Sequence, residues 1–351
     1  MGKVVSLSDI AEALGVSKMS VSIALRGKYG VSAPLRASVL KCAKKMGYSR
    51  DAEVCRTMSE IKRRGSGKFC GTIALMLAVE SEDVLRNHPT FPEFLNGIMR
   101  GAKQLGYNVD KFFLYENGSS AEKFARIFRS RGIKGGVLAG IYDNSYLPTK
   151  FQPLWKEFKF VSAGVRTYNP HLDYASSDQF LVTRNAVIEL LKLGYSRPAL
   201  VLDQVINNIV DDRFTGGFLA GQMRVIQKNR VPPFLHSNDN IKNETDFKKW
   251  FLRYRPDSIL CLYNTPKSWL ESMGVKIPKD VALVQLERRN NNPEWSGMDQ
   301  HNDSVGELCV RRLADFLNSP LSEKSLPTAI FVPPDWCNAS TAERKRSKKK
   351  I

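Results

Sequence analysis

The sequence predicts an all-α N-terminal headpiece joined to a larger α/β body of two lobes built on parallel sheets. Three observations lead there. Within the first 47 residues, apolar positions recur at helical spacing on either side of a Gly-centred turn. From Phe69 onward, short apolar runs alternate with amphipathic helices, the mark of parallel sheets covered on both faces. Charge is also uneven. Residues 1–68 carry fourteen Lys/Arg against five Asp/Glu and residues 343–351 carry six against one, which leaves only +4 of the net +18 for the 274 residues between. A basic module on a balanced body suits a polyanion partner for that module and equally the plainer reading of a solvated basic surface.

The headpiece elements follow from local chemistry. Ser6-Leu7-Ser8-Asp9 has the Ser-x-x-acid form of a helix start, and Leu7, Ile10, Ala11 and Leu14 make one apolar stripe. Gly15 supplies the positive φ of a tight turn. Ser17 caps a second helix with Val21, Ala24 and Leu25 inward and Lys18, Met19, Ser22 and Ile23 outward. After the basic loop Arg26-Gly27-Lys28-Tyr29-Gly30, Ser32 and Pro34 open a third helix with Leu35, Val39, Leu40, Ala43 and Met46 inward, ended by Gly47. An outward Met and Ile flanked by Lys and Ser is unusual for a purely solvated face. It suits thymine methyls and base edges, with the cations on phosphate.

In the body, strands are predicted at 71–77, 109–114, 135–139, 158–163, 198–202, 258–262 and 281–286. Helices are predicted at 94–105, 120–131, 179–193, 213–227 and 246–254. About 230 residues in this regime exceed one mononucleotide-binding half, so two lobes are expected.

Motifs for chemistry are missing. The sequence contains no Walker A, G-x-S-x-G, H-E-x-x-H or EF-hand pattern, and Asp211-Asp212 reads as loop or cap residues. The six cysteines form no C-x-x-C and the four histidines stand apart, so neither zinc, another metal, a cofactor nor a disulfide framework is expected. No apolar run reaches the roughly 20 residues of a membrane span, and Met1–Ser6 lacks a secretory h-region. The expectation is a cytoplasmic, nucleoid-associated protein that is not an enzyme.

The residues 5–11, Gly15-Val16-Ser17, Ser20-Val21-Ser22, Val31-Ser32, Arg36 and Gly47-Tyr48 resemble, without gaps, the headpiece of the lactose-repressor (LacI/GalR) family. Arg131–Val137, Ser177-Asp178-Gln179, Leu190–Tyr195, Gly274–Val281 and Asp299-Gln300 through Gly306 resemble its periplasmic-binding-protein-like effector domain. The resemblance implies a helix-turn-helix at 1–49, a hinge at 50–68, and a two-lobed effector-binding and dimerisation domain at 69–342. Lobe 1 would hold residues 69–168 and 298–328, lobe 2 residues 169–297 and 329–342, with a disordered basic tail at 343–351. It implies DNA contacts from Ser17, Lys18, Met19, Ser22, Ile23, Arg26 and Ser32. Ile23 stands where Arg is usual, which predicts an operator preference of its own.

Arg50 replaces the usual hinge proline. Thr57 takes the place of the leucine that wedges into the minor groove, with Met58 beside it as the apolar substitute. By position, Asp178, Arg213, Asn264 (where the family has Asp) and Trp295 are the effector-binding candidates, a set that suits a polyol or saccharide, with a purine or an acidic metabolite still open. Each also has an ordinary reading: Asp178 as a cap, Arg213 as a surface pair, Trp295 as packing. Phe91, Phe94 and Ile98 lie where family members form their dimer face. The expected function is therefore a ligand-responsive transcriptional regulator, repressor or activator, that binds a pseudo-palindromic DNA operator as a homodimer. The competing readings are a solute-binding module without a DNA role, against which the basic headpiece and absent signal argue, and an α/β enzyme, which lacks its motifs.

Overall fold

The computed structural model describes residues 7–25, 29–46, 48, 70–86, 88–141, 143–237, 240–289, 292–318 and 326–345. The chain divides into a headpiece and a body, each described on its own. In the headpiece, α1 (Leu7–Leu14), α2 (Lys18–Leu25) and α3 (Ala33–Lys45) enclose a core of Ile10, Ala11, Val21, Ala24, Val39 and Ala43. Gly15 has φ +63 in the turn between α1 and α2. The Ser17 hydroxyl accepts from Ser20 N at 3.0 Å, and Ser32 from Leu35 N at 3.4 Å, so both predicted caps form. Leu40 departs from expectation: it is half exposed, and Cys42 packs into the core instead. Positions 39, 42/43 and 46 trace the inward stripe of this helix, and position 40 falls outside it.

The body holds two six-stranded sheets. In chain order its elements are β1 (Gly71–Leu77), α4 (Glu82–Arg86), α5 (Phe91–Leu105), β2 (Tyr107–Phe113), α6 (Ala121–Arg131), β3 (Gly135–Ala139), α7 (Gln152–Glu157), β4 (Lys159–Ala163) and β5 (Asp173–Ser177). There follow α8 (Gln179–Lys192), β6 (Pro198–Asp203), α9 (Gln204–Ile209), α10 (Arg213–Gln222), β7 (Phe234–His236), α11 (Asn240–Tyr254), β8 (Ser258–Cys261), α12 (Thr265–Ser272), β9 (Ala282–Gln285), β10 (Ser296–Asp299), α13 (Asn302–Asn318), β11 (Ala329–Val332) and β12 (Asp335–Cys337). The first sheet runs β11-β5-β4-β3-β1-β2, all parallel. The second runs β12-β10-β9-β8-β6-β7, parallel except for β12. Alternate residues of β1 show why: Ile73, Leu75 and Leu77 enter the core beneath α5 and α13, while Ala74 and Met76 enter the one beneath α6 and α7.

The chain crosses between lobes three times, after β5, after β10 and between β11 and β12. The expected lobe boundaries shift accordingly. Asp173–Ser177 and Ala329–Val332, assigned by sequence to lobe 2, pair with each other and belong to the first sheet. Ser296–Asp299 pairs in the second. The start of the expected disordered tail is docked as well. Tyr195 donates to the Glu343 carbonyl at 2.8 Å, and Lys345 pairs with Asp257 at 2.8 Å. Residues 346–351 lie outside the described residues, as do the hinge candidates Thr57 and Met58. Among the described residues no helix is long and apolar enough to cross a membrane.

Candidate ligand cleft and nucleic-acid face

A cleft lies between the two sheets. Its lining follows one rule. Ile141 follows β3, Gly164 and Val165 follow β4, and Ser177 ends β5. Leu262 and Tyr263 follow β8, Glu287 follows β9, and Gln300 follows β10. These are the carboxyl ends of parallel strands, where open α/β sheets place their ligands because the adjoining loops diverge there. Phe91, Phe94, Ile206, Ile209 and Phe214 make the remaining walls largely apolar.

The polar end is organised around Glu287. Its carboxylate accepts from Thr90 Oγ1 at 3.0 Å and from Asn302 Nδ2 at 2.7 Å, both on lobe 1. Arg289 sits 3.6 Å away. Burial pushes the Glu287 carboxyl above its ordinary range, against the pull of Arg289 and its hydrogen-bond donors. Glu93 nearby is raised too, by burial and then by the field of Glu287. His88 is lowered to about 4, first by desolvation and then by Arg289, so its ring is neutral at pH 7. Thr90 N donates to His88 Nδ1 at 3.2 Å, which leaves the ring hydrogen on Nε2. Among the described residues, the Oδ1 of Asn302, a residue of the cleft lining, is buried without a hydrogen-bond partner. An unmatched acceptor there suits a ligand group that donates, as a hydroxyl does.

The sequence-predicted effector residues fall into three places. Asp178 and Arg213 are brought together, Arg213 Nη2 lying 2.6 Å from Asp178 Oδ1. Asp178 also caps α8 through Leu181 N, and Arg213 stacks on Phe331 at 4.1 Å. The pair sits where the chain changes lobes, and its sequence neighbours Ser177, Gln179 and Phe214 line the cleft. Asn264 stands at the start of α12, where its Oδ1 accepts from Gln285 Nε2 at 3.2 Å, and it is the preceding Tyr263 that lines the cleft. Trp295 must be corrected. It is 1% exposed, in a core with Phe247, Trp250 and Trp269. It precedes β10, at the end of the strand opposite the cleft, and so packs a core and stacks on no ligand.

Phe91, Phe94 and Ile98 are likewise turned inward, at 6%, 6% and 0% exposure, and the exposed apolar residue of α5 is Met99. Sequence reasoning missed His88, Thr90, Glu287 and Asn302. The available signal was position: Glu287 is a carboxylate placed just past a wholly buried strand.

On the headpiece, α2 exposes Lys18 and Met19, the latter to 74%, while Ser22 and Ile23 are half-buried. Ser17 and Ser32 are exposed caps, and Arg26 lies outside the described residues. Tyr29, in the loop before α3, is fully exposed.

A capped helical headpiece followed by two parallel-sheet lobes around a cleft defines a ligand-binding regulator class. The profile described as bacterial regulatory proteins, lacI family, matches residues 6–51. The one described as periplasmic binding proteins and sugar binding domain of LacI family matches residues 73–281. The chain belongs to the LacI family of transcriptional regulators. It is 27% identical over 355 residues to the HTH-type transcriptional regulator reg1 of Streptomyces lividans, covering 96% of each chain. It is 26% identical over 199 residues to MalR of Streptomyces coelicolor, covering 56% of this chain and 53% of that one. Among solved structures, its fold is similar to that of the transcriptional regulator CelR in complex with cellobiose (TM-score 0.58, 16% identity, 96% and 99% of the two chains). It is also similar to the lac repressor dimer bound to operator and the anti-inducer ONPF (TM-score 0.57, 17% identity, 97% and 100%).

Proposed function

We propose that this regulator binds a pseudo-palindromic operator as a homodimer in the cytoplasm, reading bases with Lys18, Met19 and Ile23 and positioning the headpiece through Ser17, Ser22, Arg26 and Ser32. The observation that carries the DNA reading is the outward, 74% exposed Met19 beside Lys18 on a capped second helix. The effector is a hydroxyl-rich, sugar-like molecule held in the inter-lobe cleft. Its polar groups meet His88, Glu287 and Asn302, its apolar face meets Phe91, Phe94 and Phe214, and the Asp178–Arg213 pair holds Gln179 and Phe214 in place. The related CelR was solved with cellobiose and a LacI-family regulator of Enterococcus faecium with ribose, which supports a sugar in this cleft. Effector binding changes lobe orientation and thereby the ordering of the hinge. A coupling of about 1–3 kcal/mol corresponds to a 5–150-fold change in DNA affinity.

Two measurements test this. Selection from a random DNA pool, followed by gel shift at moderate salt, should enrich a two-fold-symmetric site, and no enrichment over competitor refutes the DNA reading. A thermal-shift screen over sugars, sugar acids and nucleobases should raise the melting temperature for a sugar, because a ligand of the folded state stabilises it. A shift by nucleobases alone refutes the sugar assignment.

A further inference from the structure

The segment from α9 to Asp212 has its root in lobe 2 and its tip in lobe 1. At the root, Asp203 caps α9 by accepting from Val205 N at 2.7 Å. Asn207, 1% exposed, donates to Asp212 Oδ1 and accepts from Thr215 N and Oγ1 at 3.3 and 2.8 Å. Ile206 packs against the lobe 2 core. At the tip, Ile209 is buried with Leu147 and Val165 in the lobe 1 core, and its carbonyl accepts from Ser145 Oγ at 3.4 Å. The Tyr168 hydroxyl donates to Asp211 Oδ1, and Arg166 Nη1 lies 3.6 Å from Asp211 Oδ2. Arg166 is itself held by a hydrogen bond to Tyr174 Oη at 3.3 Å. Asp211 and Asp212 both have φ +56, consecutive left-handed residues that the docked tip requires and that only Gly, Asn and Asp adopt cheaply. Ile206, Ile209 and Val210 face the cleft.

We propose that residues 205–212 form a gate, clipped to lobe 1 by Asp211 and Ile209, that closes the cleft in the absence of ligand and must undock for a ligand to enter or leave. The clip joins the partly exposed polar set Asp211, Tyr168 and Arg166 to a single buried side chain, Ile209, whereas the root is held by buried Asn207 through Asp212 and Thr215 and by the Asp203 cap, so the tip releases while the root stays. The gate rests on the cleft being the ligand site, and its mechanical test uses no ligand.

Ser177→Cys places a thiol on the cleft wall of the full-length chain. Its alkylation by N-ethylmaleimide is followed on the peptide that carries it, and hydrogen exchange of residues 205–212 is read alongside. Tyr168→Phe removes the donor, and Asp211→Asn keeps the left-handed turn while removing the charge. Losing a hydrogen bond to a charged group should raise both the labelling rate and the exchange of 205–212 by about tenfold or more. Strand amides at 198–203 should stay unchanged. Unchanged labelling in both variants overturns the gate. So does a rise that strand 198–203 shares, which marks general loosening. A sugar panel without any thermal shift would instead sink the effector assignment and leave these rates as they are.

Discussion

The crossing of α5 and α13 gives the sharpest quantitative test, because it frames the polar end of the cleft. The two helices touch backbone to backbone. A Cβ added at Gly97 would lie 1.8 Å from the carbonyl oxygen of Asp303, and one at Gly306 would lie 2.3 Å from that of Phe94. An ordinary C···O contact is about 3.3 Å, so the helices must separate by roughly 1–1.5 Å. No side-chain rotation relieves this, since the obstacle is main chain. Gly→Ala in a helix gains about 1 kcal/mol in propensity, while forcing atoms into a packed core costs typically about 1–3 kcal/mol and more when backbone must move. With the cost at the upper end of that range, we expect Gly97→Ala to lose about 2 kcal/mol net and Gly306→Ala somewhat less.

Gly216 supplies the control, because a Cβ there comes only within 3.8 Å of Phe180. Gly216→Ala should therefore gain up to about 1 kcal/mol. Urea denaturation followed by far-ultraviolet circular dichroism measures all three. If Gly97→Ala proves as stable as the parent, the close crossing is wrong, and with it the placement of Asn302 and Phe94 at the cleft.

Three further outcomes are expected. Trp295→Ala should cost about 3–5 kcal/mol by emptying a core site, and Trp295→Phe much less; equal, negligible losses in urea melts would overturn its place in the core. His88 titrates at about 4 in the folded chain, below the ordinary 6.5, so the folded state binds fewer protons and stability falls as pH drops from 6.5 through 4. Taken whole, the shift is about 3 kcal/mol, trimmed to about 1–2 by solvent at a partly buried ring. His88→Asn, which keeps an acceptor for Thr90 N, should flatten the difference between urea melts at pH 7 and pH 5, and an unaltered difference contradicts the assignment. On DNA, Lys18→Ala and Met19→Ala should relax sequence preference. Removing charge at Lys62–Arg64, beyond the described residues, should weaken all sequences alike and reduce the salt slope by about 0.9 per lost phosphate contact. The same loss of preference from both sets would overturn that division of roles.

What the sequence made legible follows from the range of the forces involved. The caps Ser17 and Ser32, the turn at Gly15 and the inward stripes of α1 and α2 are set by neighbours within four residues, and a local pattern suffices to read them. Strands such as Gly135–Ala139, buried on both faces, stand out as unbroken apolar runs. By contrast β5 and β10 carry serines and aspartates that break the apolar run, and β12 has only three residues. Asp173 in β5 is buried because Arg312, 139 residues away, neutralises it at 2.8 Å, a partnership no local window contains. The lobe boundaries moved for this reason. Asp178 and Arg213 were candidates by their place in the family resemblance, and their mutual pairing came from the fold.

The cleft itself is the clearest case. Glu287, Thr90 and Asn302 come from three separate stretches: the crossing of α5 and α13 at Gly97 and Gly306 brings Thr90 and Asn302 together, and the end of β9 presents Glu287 to them. Residue type alone suggested Trp295, an aromatic in a polar stretch. Strand polarity argues otherwise, since Trp295 stands before β10 and Gln300 after it. For a parallel sheet, the side of the strand on which a residue falls therefore carries more functional information than its chemistry. That rule separates Trp295, which enters β10, from Leu262, Tyr263, Glu287 and Gln300, which leave their strands at the cleft.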